Sequence, residues 1–269
     1  MRVRKCVITA AGPEQRRLPL QTLIARDGAP KTVLALLVEE ASRARIEETC
    51  LVAAPGDEAA YREAAGAHPG RLHFVTQHEP RGYAAALLCA REFASGEPFL
   101  HMVSDHLWVD ASEEGCAARL VETAEREQAS VSAVKATRES HLPRFGAVGG
   151  RPVAARPGMY DIETEIEKPT PTEAERSLVV PGQRAGQYLC FFGMHVLTPC
   201  VMELLDGADT HSGALAQLPR KERYLALEMA GRRYDLGDRY GLFCAQLALA
   251  LAGKDRDEVL TLLVELLAR

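Results

Sequence analysis

Phe99-Leu100-His101-Met102-Val103-Ser104-Asp105-His106 is a short apolar, β-prone run that stops on a polar turn carrying a carboxylate. It is the fourth unit of its kind in the first 110 residues. Cys6 to Ala11 ends at Gly12-Pro13, Thr49 to Ala54 ends at Pro55-Gly56, and Leu72 to Thr76 is the third. Short apolar runs closed by glycine or proline predict buried strands. Helical patterns lie between them: Thr32 to Ala44, with Val33, Leu36, Leu37 and Ala41 on one stripe, then Glu58 to Ala65, then Gly82 to about Phe93. Strand–helix–strand units at this spacing predict an α/β fold around a parallel sheet. Such sheets bind ligands beyond the carboxyl ends of their strands, so chemistry is expected after Ala11, Ala54 and Val103.

The second half is less regular. Cys116 to Gln128 reads as a helix, Ser130 to Ala136 as a strand, and Phe145 to Gly150 as a strand running into a hairpin turn. Ile162 to Lys168 alternates apolar and acidic residues, the pattern of a strand with one exposed face. Residues 169–186 suit a loop or short helix, Tyr188 to Val196 a strand, and Pro199 to Leu205 a helix. Asp257 to Arg269 closes the chain as a helix whose leucine stripe is expected to pack on its own domain, self-association being its other use. With no repeat and no linker, residues 1–269 read as one domain.

Composition narrows the function. The 269 residues carry 32 Lys+Arg against 37 Asp+Glu, a net charge of −5, which argues against nucleic-acid binding through bulk positive charge. A hydrophobic content of 47% excludes global disorder. No apolar run reaches the roughly 18 residues of a membrane helix, and the first residues lack the long apolar stretch of a signal peptide. Seven scattered cysteines, none in a CxxC pair, predict neither paired disulfides nor a zinc knuckle and point to the cytoplasm.

Three places could carry chemistry. The turn Ala11-Gly12-Pro13-Glu14-Gln15-Arg16-Arg17-Leu18-Pro19 can offer backbone N–H groups and arginines to phosphates, although many surface turns look alike. Asp105, at the end of a buried strand, and Asp235, in Tyr234-Asp235-Leu236-Gly237-Asp238, could share Mg²⁺, which takes one or two carboxylates plus phosphate oxygens. A turn or capping role for Asp105 is equally compatible with the pattern, and neither aspartate suffices alone. Glu167-Lys168-Pro169 sets an acceptor for sugar hydroxyls beside a cation for phosphate, or is an ordinary strand end. His101 and His106 flank Asp105, but their spacing does not put both rings on one metal, so histidine ligation is not expected. No GxSxG, HExxH, Walker A or GxGxxG pattern is present.

In this order the motifs resemble the sugar-1-phosphate nucleotidyltransferases, from about Arg4 to Leu249. The family loop Ala-Gly-x-Gly-Thr-Arg-x-x-Pro is similar to Ala11 to Pro19, with Glu14-Gln15 in place of Gly-Thr; the lysine that follows in the family falls on Leu20, with Lys31 further along. Phe74 to Ala90 is similar to the base-reading segment, with Gln77 and Gly82 kept and His78 where the family has glycine. Ser104-Asp105, Phe145-Gly146-Ala147-Val148, Glu167-Lys168-Pro169 and Asp235-Leu236-Gly237 follow in family order. The resemblance implies a Rossmann-like mixed, mostly parallel sheet of the nucleotide-diphospho-sugar transferase type, with a nucleotide-binding half (1–110), a sugar-binding half (111–250) and a C-terminal helix (251–269). It implies transfer from UTP to a sugar 1-phosphate, glucose 1-phosphate first, giving a UDP-sugar and pyrophosphate.

The implied roles are residue by residue. Ala11, Gly12, Gln77 and Gly82 hold the nucleotide; Arg16 and Lys168 are catalytic, Arg16 on the triphosphate and Lys168 on the sugar phosphate. Gly146, Glu167 and Lys168 hold the sugar, and Asp105 and Asp235 hold Mg²⁺. Partners are nucleotides and sugar phosphates, with neither nucleic acid nor membrane and with a homo-oligomer possible. Glu14 places a negative charge beside a triphosphate, so the alternative is a catalytically inactive homologue that binds a nucleotide, nucleotide sugar or sugar phosphate as a sensor or accessory subunit.

Overall fold

The computed structural model describes residues 1–79, 81–110, 112, 114–208 and 210–268. Pro80, Ala111 and Arg269, which fall within the base-reading segment, at the start of the second half and at the end of the last helix, lie outside the described residues.

The apolar runs form the strands expected of them. In chain order the main sheet contains β1 (Lys5–Thr9), β2 (Glu48–Ala53), β3 (Arg71–Thr76), β4 (Phe99–Val103) and β5 (Ser130–Arg138). It continues with β6 (Ala147–Pro152), β7 (Met159–Ile166), β8 (Gln187–Leu197) and β9 (Tyr224–Glu228). Their order across the sheet is β3-β2-β1-β4-β8-β5-β9-β7-β6. The first four are mutually parallel, with Ile8 of β1 between Leu51 and Met102. Beyond β4 the sheet turns mixed: β8 runs antiparallel to β4 and β5, β9 is parallel to β5, and β7 is antiparallel to β9 and β6.

Strands β1, β2 and β4 are buried on both faces, which is why they read as unbroken apolar runs, whereas the edge strand β3 is only half-buried. Cys6 and Ile8 face Leu34, Leu37 and Leu120; Val7, Cys50 and Val52 face Ala84, Leu87 and Val201 on the other side. The helix Val33–Arg43 begins at Thr32, whose side chain accepts from the Ala35 N–H and satisfies one of the helix's unpaired first-turn donors.

Two features place the site. The first is a small antiparallel ribbon, His106–Val109 with Arg232–Asp235, which sets Asp235 directly opposite His106. The second is the irregularity in β8 between Phe191 and His195, where Gly193 takes φ +84, a left-handed conformation that favours glycine. A Cβ there would come within 3.0 Å of Val103 at the end of β4.

The closing helix, Arg256–Leu267, departs from expectation. None of its residues is buried, and Leu262, Val264, Leu266 and Leu267 are exposed. Its leucines spread round the helix beyond one stripe, and its main neighbour is the single helix Gly241–Leu251 rather than the body of the domain. Among the described residues no helix is long and apolar enough to cross a membrane, and all seven cysteines are free thiols.

Candidate functional site

A cavity of about 370 Å³ opens beyond the carboxyl ends of β1 and β4, where the parallel sheet predicts a ligand. Ala11, Gly12 and Gln15 form one wall, Gln77 and Gly82 the opposite one, and Asp105 closes a corner. Gln77 is buried and its side-chain amide donates to the Gly82 carbonyl at 3.1 Å, leaving its oxygen for a ligand. Gly82 takes φ +91 as the helix Tyr83–Cys89 begins, so its backbone reaches the cavity where a side chain would strain the turn. A larger cavity of about 440 Å³ lies elsewhere, beside the helix Val33–Arg43, Trp108 and Lys254. It contains none of the motif residues, and Lys31 and Glu40 within it are already paired, with Asp27, Glu39 and Arg43.

The acidic corner is built by the ribbon. Asp105 is buried, and its carboxylate accepts from the Gln15 side chain on one oxygen and lies 2.7 Å from His106 Nδ1 on the other. The Leu236 N–H donates to the Asp105 carbonyl at 2.8 Å, which locks the two turns together. Asp235 accepts from the Gly237 N–H at 2.9 Å. Donor atoms of Asp105, His106 and Asp235 lie within 4.8 Å of one another, the one such group among the described residues. The two aspartates expected to share a cation are brought together from distant parts of the chain. His106, discounted on its spacing from His101, joins them because its partner comes from the opposite ribbon strand.

The phosphate loop is less open than expected. The Arg16 guanidinium is paired with Asp57, ahead of the helix Glu58–Ala64, and the Arg16 and Ala10 carbonyls both accept from the Tyr61 hydroxyl. Arg16 is therefore outside the cavity lining, whereas Gln15 is within it. Leu20 ends a 3₁₀ turn, and Lys31 is held by Asp27 at 2.9 Å and Glu39 at 2.6 Å.

At the other end, Gly146, Glu167 and Lys168 lie close together. A Cβ on Gly146 would fall 2.7 Å from Glu167 Oε2, which accepts from the Ser212 hydroxyl at 2.9 Å. Lys168 is exposed, with φ +47, and its N–H donates to the Phe145 carbonyl at 3.2 Å. Beside them Glu165 is buried with one carboxyl oxygen unpartnered; burial first, and the charge of Glu167 second, push its pKa up to about 8.

Between the two ends lies a polar group that sequence reasoning missed. Tyr83 lines the cavity and its hydroxyl bonds the His101 ring at 2.9 Å. His101, His195 and His211 are buried with ring centroids 5.6–5.8 Å apart, because β4 and β8 place His101 opposite His195. Burial pushes His195 down to about 3; burial and the neighbouring imidazoles hold His101 and His211 well below the usual histidine range. All three rings are neutral at neutral pH. The available signal was a histidine in the middle of each of two otherwise apolar strands.

The chain matches the family model for nucleotidyl transferase over residues 16–249. It is 28% identical to a UTP–glucose-1-phosphate uridylyltransferase of Streptococcus pyogenes, over 93% of this chain and 90% of that protein. The same identity holds for the protein of that name from Streptococcus pneumoniae, over 98% and 96%. Among solved structures, a UTP-bound UGPase from Acinetobacter baumannii superposes with a TM-score of 0.78 at 21% identity, over 98% of this chain and 99% of that one. A UDP-glucose pyrophosphorylase complexed with UDP-glucose gives a TM-score of 0.74 at 22% identity, over 91% and 98%. At such identities the superpositions speak for the fold.

Proposed function

Because this chain belongs to the nucleotidyl transferase family, we propose that it transfers a uridylyl group from UTP to a sugar 1-phosphate, with glucose 1-phosphate as the first acceptor to test. The observation that carries the proposal is the convergence of Asp105 and Asp235 at the corner of a cavity whose other walls are Gly12, Gln77 and Gly82. The names of the relatives in Streptococcus, and the UTP and UDP-glucose bound by two structural neighbours, support the choice of base and sugar.

In this reading an oxygen of the sugar phosphate attacks the α-phosphorus of UTP; the new O–P bond forms as the bond to the bridging oxygen breaks, and pyrophosphate leaves. Such a transfer depends on positioning and neutralised charge more than on proton transfer. The free amide oxygen of Gln77 and the Gly82 backbone face the base edge, and the Ala11-Gly12 backbone faces the phosphates. Glu167 takes the sugar hydroxyls and Lys168 the sugar phosphate, while Arg16 reaches the triphosphate by exchanging Asp57 for it. A divalent cation at Asp105 and Asp235 would supply charge neutralisation, and the donor set there suits one. Residues 1–110 thus handle the nucleotide and 111–250 the sugar.

A second reading, a protein that binds a nucleotide sugar without turning it over, is favoured by the Arg16–Asp57 pair and by Leu20. Pyrophosphate release from the purified protein with UTP, glucose 1-phosphate and a divalent cation separates the two, with Asp105→Asn as control. Release that the control lacks supports transfer. Silence, with thermal stabilisation by UDP-glucose and none by UTP, supports the binding role.

A further inference from the structure

We infer that His106 is a third donor at the cation corner, and that this corner selects a first-row transition-metal ion over Mg²⁺. The inference rests on the cation reading of Asp105 and Asp235 and deepens it. Three features of the ring carry it. His106 Nδ1 stands 2.7 Å from Asp105 Oδ1, and both, with a carboxylate oxygen of Asp235, fall inside one 4.8 Å group. Two donors at right angles on one ion, each about 2.1 Å away, are about 3.0 Å apart. The Nδ1–Oδ1 pair is hydrogen-bonded at nearly the separation that adjacent ligands of one ion need, so an ion would take the place of the proton between them, releasing it to solvent, where a distant histidine would have to swing in.

The ring is also held in place. Its side chain is only 13% exposed, it stacks beside Trp108 with ring centroids 6.5 Å apart, and it borders Gly193. A Cβ on that glycine would lie 3.6 Å from the ring carbon Cγ, in ordinary contact, so the β8 backbone runs alongside the imidazole. The ribbon pairing with Asp235 fixes the backbone beneath it. Asp105 is held on its other oxygen by Gln15, an outer partner of the kind that orients metal-binding carboxylates.

The third feature is chemical. Mg²⁺ is hard, keeps several waters and is usually held by one or two carboxylates with substrate phosphates. Imidazole nitrogen suits Zn²⁺, Fe²⁺, Ni²⁺ and their neighbours, and affinity rises from Mn²⁺ towards Cu²⁺. Two carboxylates alone leave the choice to availability; adding a preplaced nitrogen tilts it away from Mg²⁺.

The test uses Co²⁺ as the probe ion on the full chain, without substrate. Calorimetric titration with Co²⁺ and with Mg²⁺ gives the two affinities, and proton NMR of the Co²⁺-loaded protein reports a hyperfine-shifted, exchangeable imidazole N–H if a histidine ligates. The expected result is Co²⁺ binding at least 100-fold tighter than Mg²⁺ and one such resonance in the unaltered protein. His106→Asn should remove the resonance and cost Co²⁺ at least the roughly 10–100-fold that loss of an outer partner costs, leaving Mg²⁺ little changed. His106→Asp, an all-oxygen set, should move the preference back towards Mg²⁺. Co²⁺ affinity unchanged in His106→Asn, while Asp105→Asn abolishes it, would overturn the role of His106 and leave the cation corner standing. No binding of either ion by the unaltered protein would overturn both. The resonance is read on the unaltered chain, so it decides the matter even where a variant misfolds.

Discussion

Glu165 is a carboxyl group kept in a place that disfavours its charge, and replacing it with glutamine should change how stability depends on pH. Its pKa is about 8, against 4.5 for the free group, with burial the larger cause and Glu167 the smaller. Between those values the native protein holds a proton that the unfolded chain has released, so stability falls as pH rises. At about 1.4 kcal/mol per pH unit, the share of Glu165 in this loss is about 2 kcal/mol from pH 6.5 to 8, and at most about 5 kcal/mol over the full span. Below about pH 7 the sign reverses. The unfolded chain protonates His101, His195 and His211 there, while the native rings stay neutral, His195 down to about 3, so stability drops as pH falls. Three such rings outweigh one carboxyl group until the unfolded imidazoles are about one-third protonated, so stability should peak near pH 7, roughly where the two slopes balance. The assay is urea unfolding followed by Trp108, the single tryptophan, at half-unit steps from pH 5 to 9. Glu165→Gln should rise by about 1 kcal/mol from pH 6.5 to 7.5, as the unfolded chain releases the last of its three imidazole protons, then level off; it should be more stable than the unaltered protein at pH 8 and still weakened below 6.5. Glu167→Gln should move the midpoint of the decline to lower pH. The same pH profile in Glu165→Gln as in the unaltered protein between 6.5 and 8.5 would refute the reasoning.

Asp105→Asn and Asp235→Asn should each abolish cation-dependent pyrophosphate release; full rates in both would remove the cation corner from the mechanism. Gly146→Ala puts a Cβ 2.7 Å from Glu167 Oε2 and 2.9 Å from the Phe191 ring, and at about 1–3 kcal/mol of overpacking it should raise KM for the sugar phosphate about tenfold or more with KM for UTP unchanged. Equal effects on both substrates would place the sugar elsewhere. If the loop Ala11–Pro19 faces the triphosphate, Glu14→Gly removes a like charge from it, worth about 1 kcal/mol near 4 Å in water, and should tighten UTP about fivefold by calorimetry; unchanged affinity would mean that the loop lies off the phosphates. Deleting residues 256–269 should leave the melting temperature within about 3 °C, since the helix Arg256–Leu267 buries no residue; a larger loss would show that its leucines are covered.

The parallel half was legible because its physics is local. A strand covered on both faces needs an unbroken apolar run, and Cys6 to Ala11, Thr49 to Ala54 and Phe99 to Val103 are such runs, so β1, β2 and β4 fall within a residue or two of their expected ends. The helix Gly241–Leu251 was not legible, being apolar almost all round and so without a period to read. The ribbon His106–Val109 with Arg232–Asp235 was not either, because four-residue strands gain their pairing from partners far along the chain. The same division runs through the site. Asp105 and Asp235 could be nominated from their turns, Gly82 from its place before a helix, and Glu167 from its strand end. What each touches is set by register: His106 meets Asp235 across the ribbon, His101 meets His195 across β4 and β8, and Arg16 meets Asp57 across two loops. A motif states which residue type stands at a strand end. The choice between carboxylates alone and carboxylates with an imidazole, and between an arginine free for phosphate and one already paired, is made by neighbours more than forty residues away in the chain.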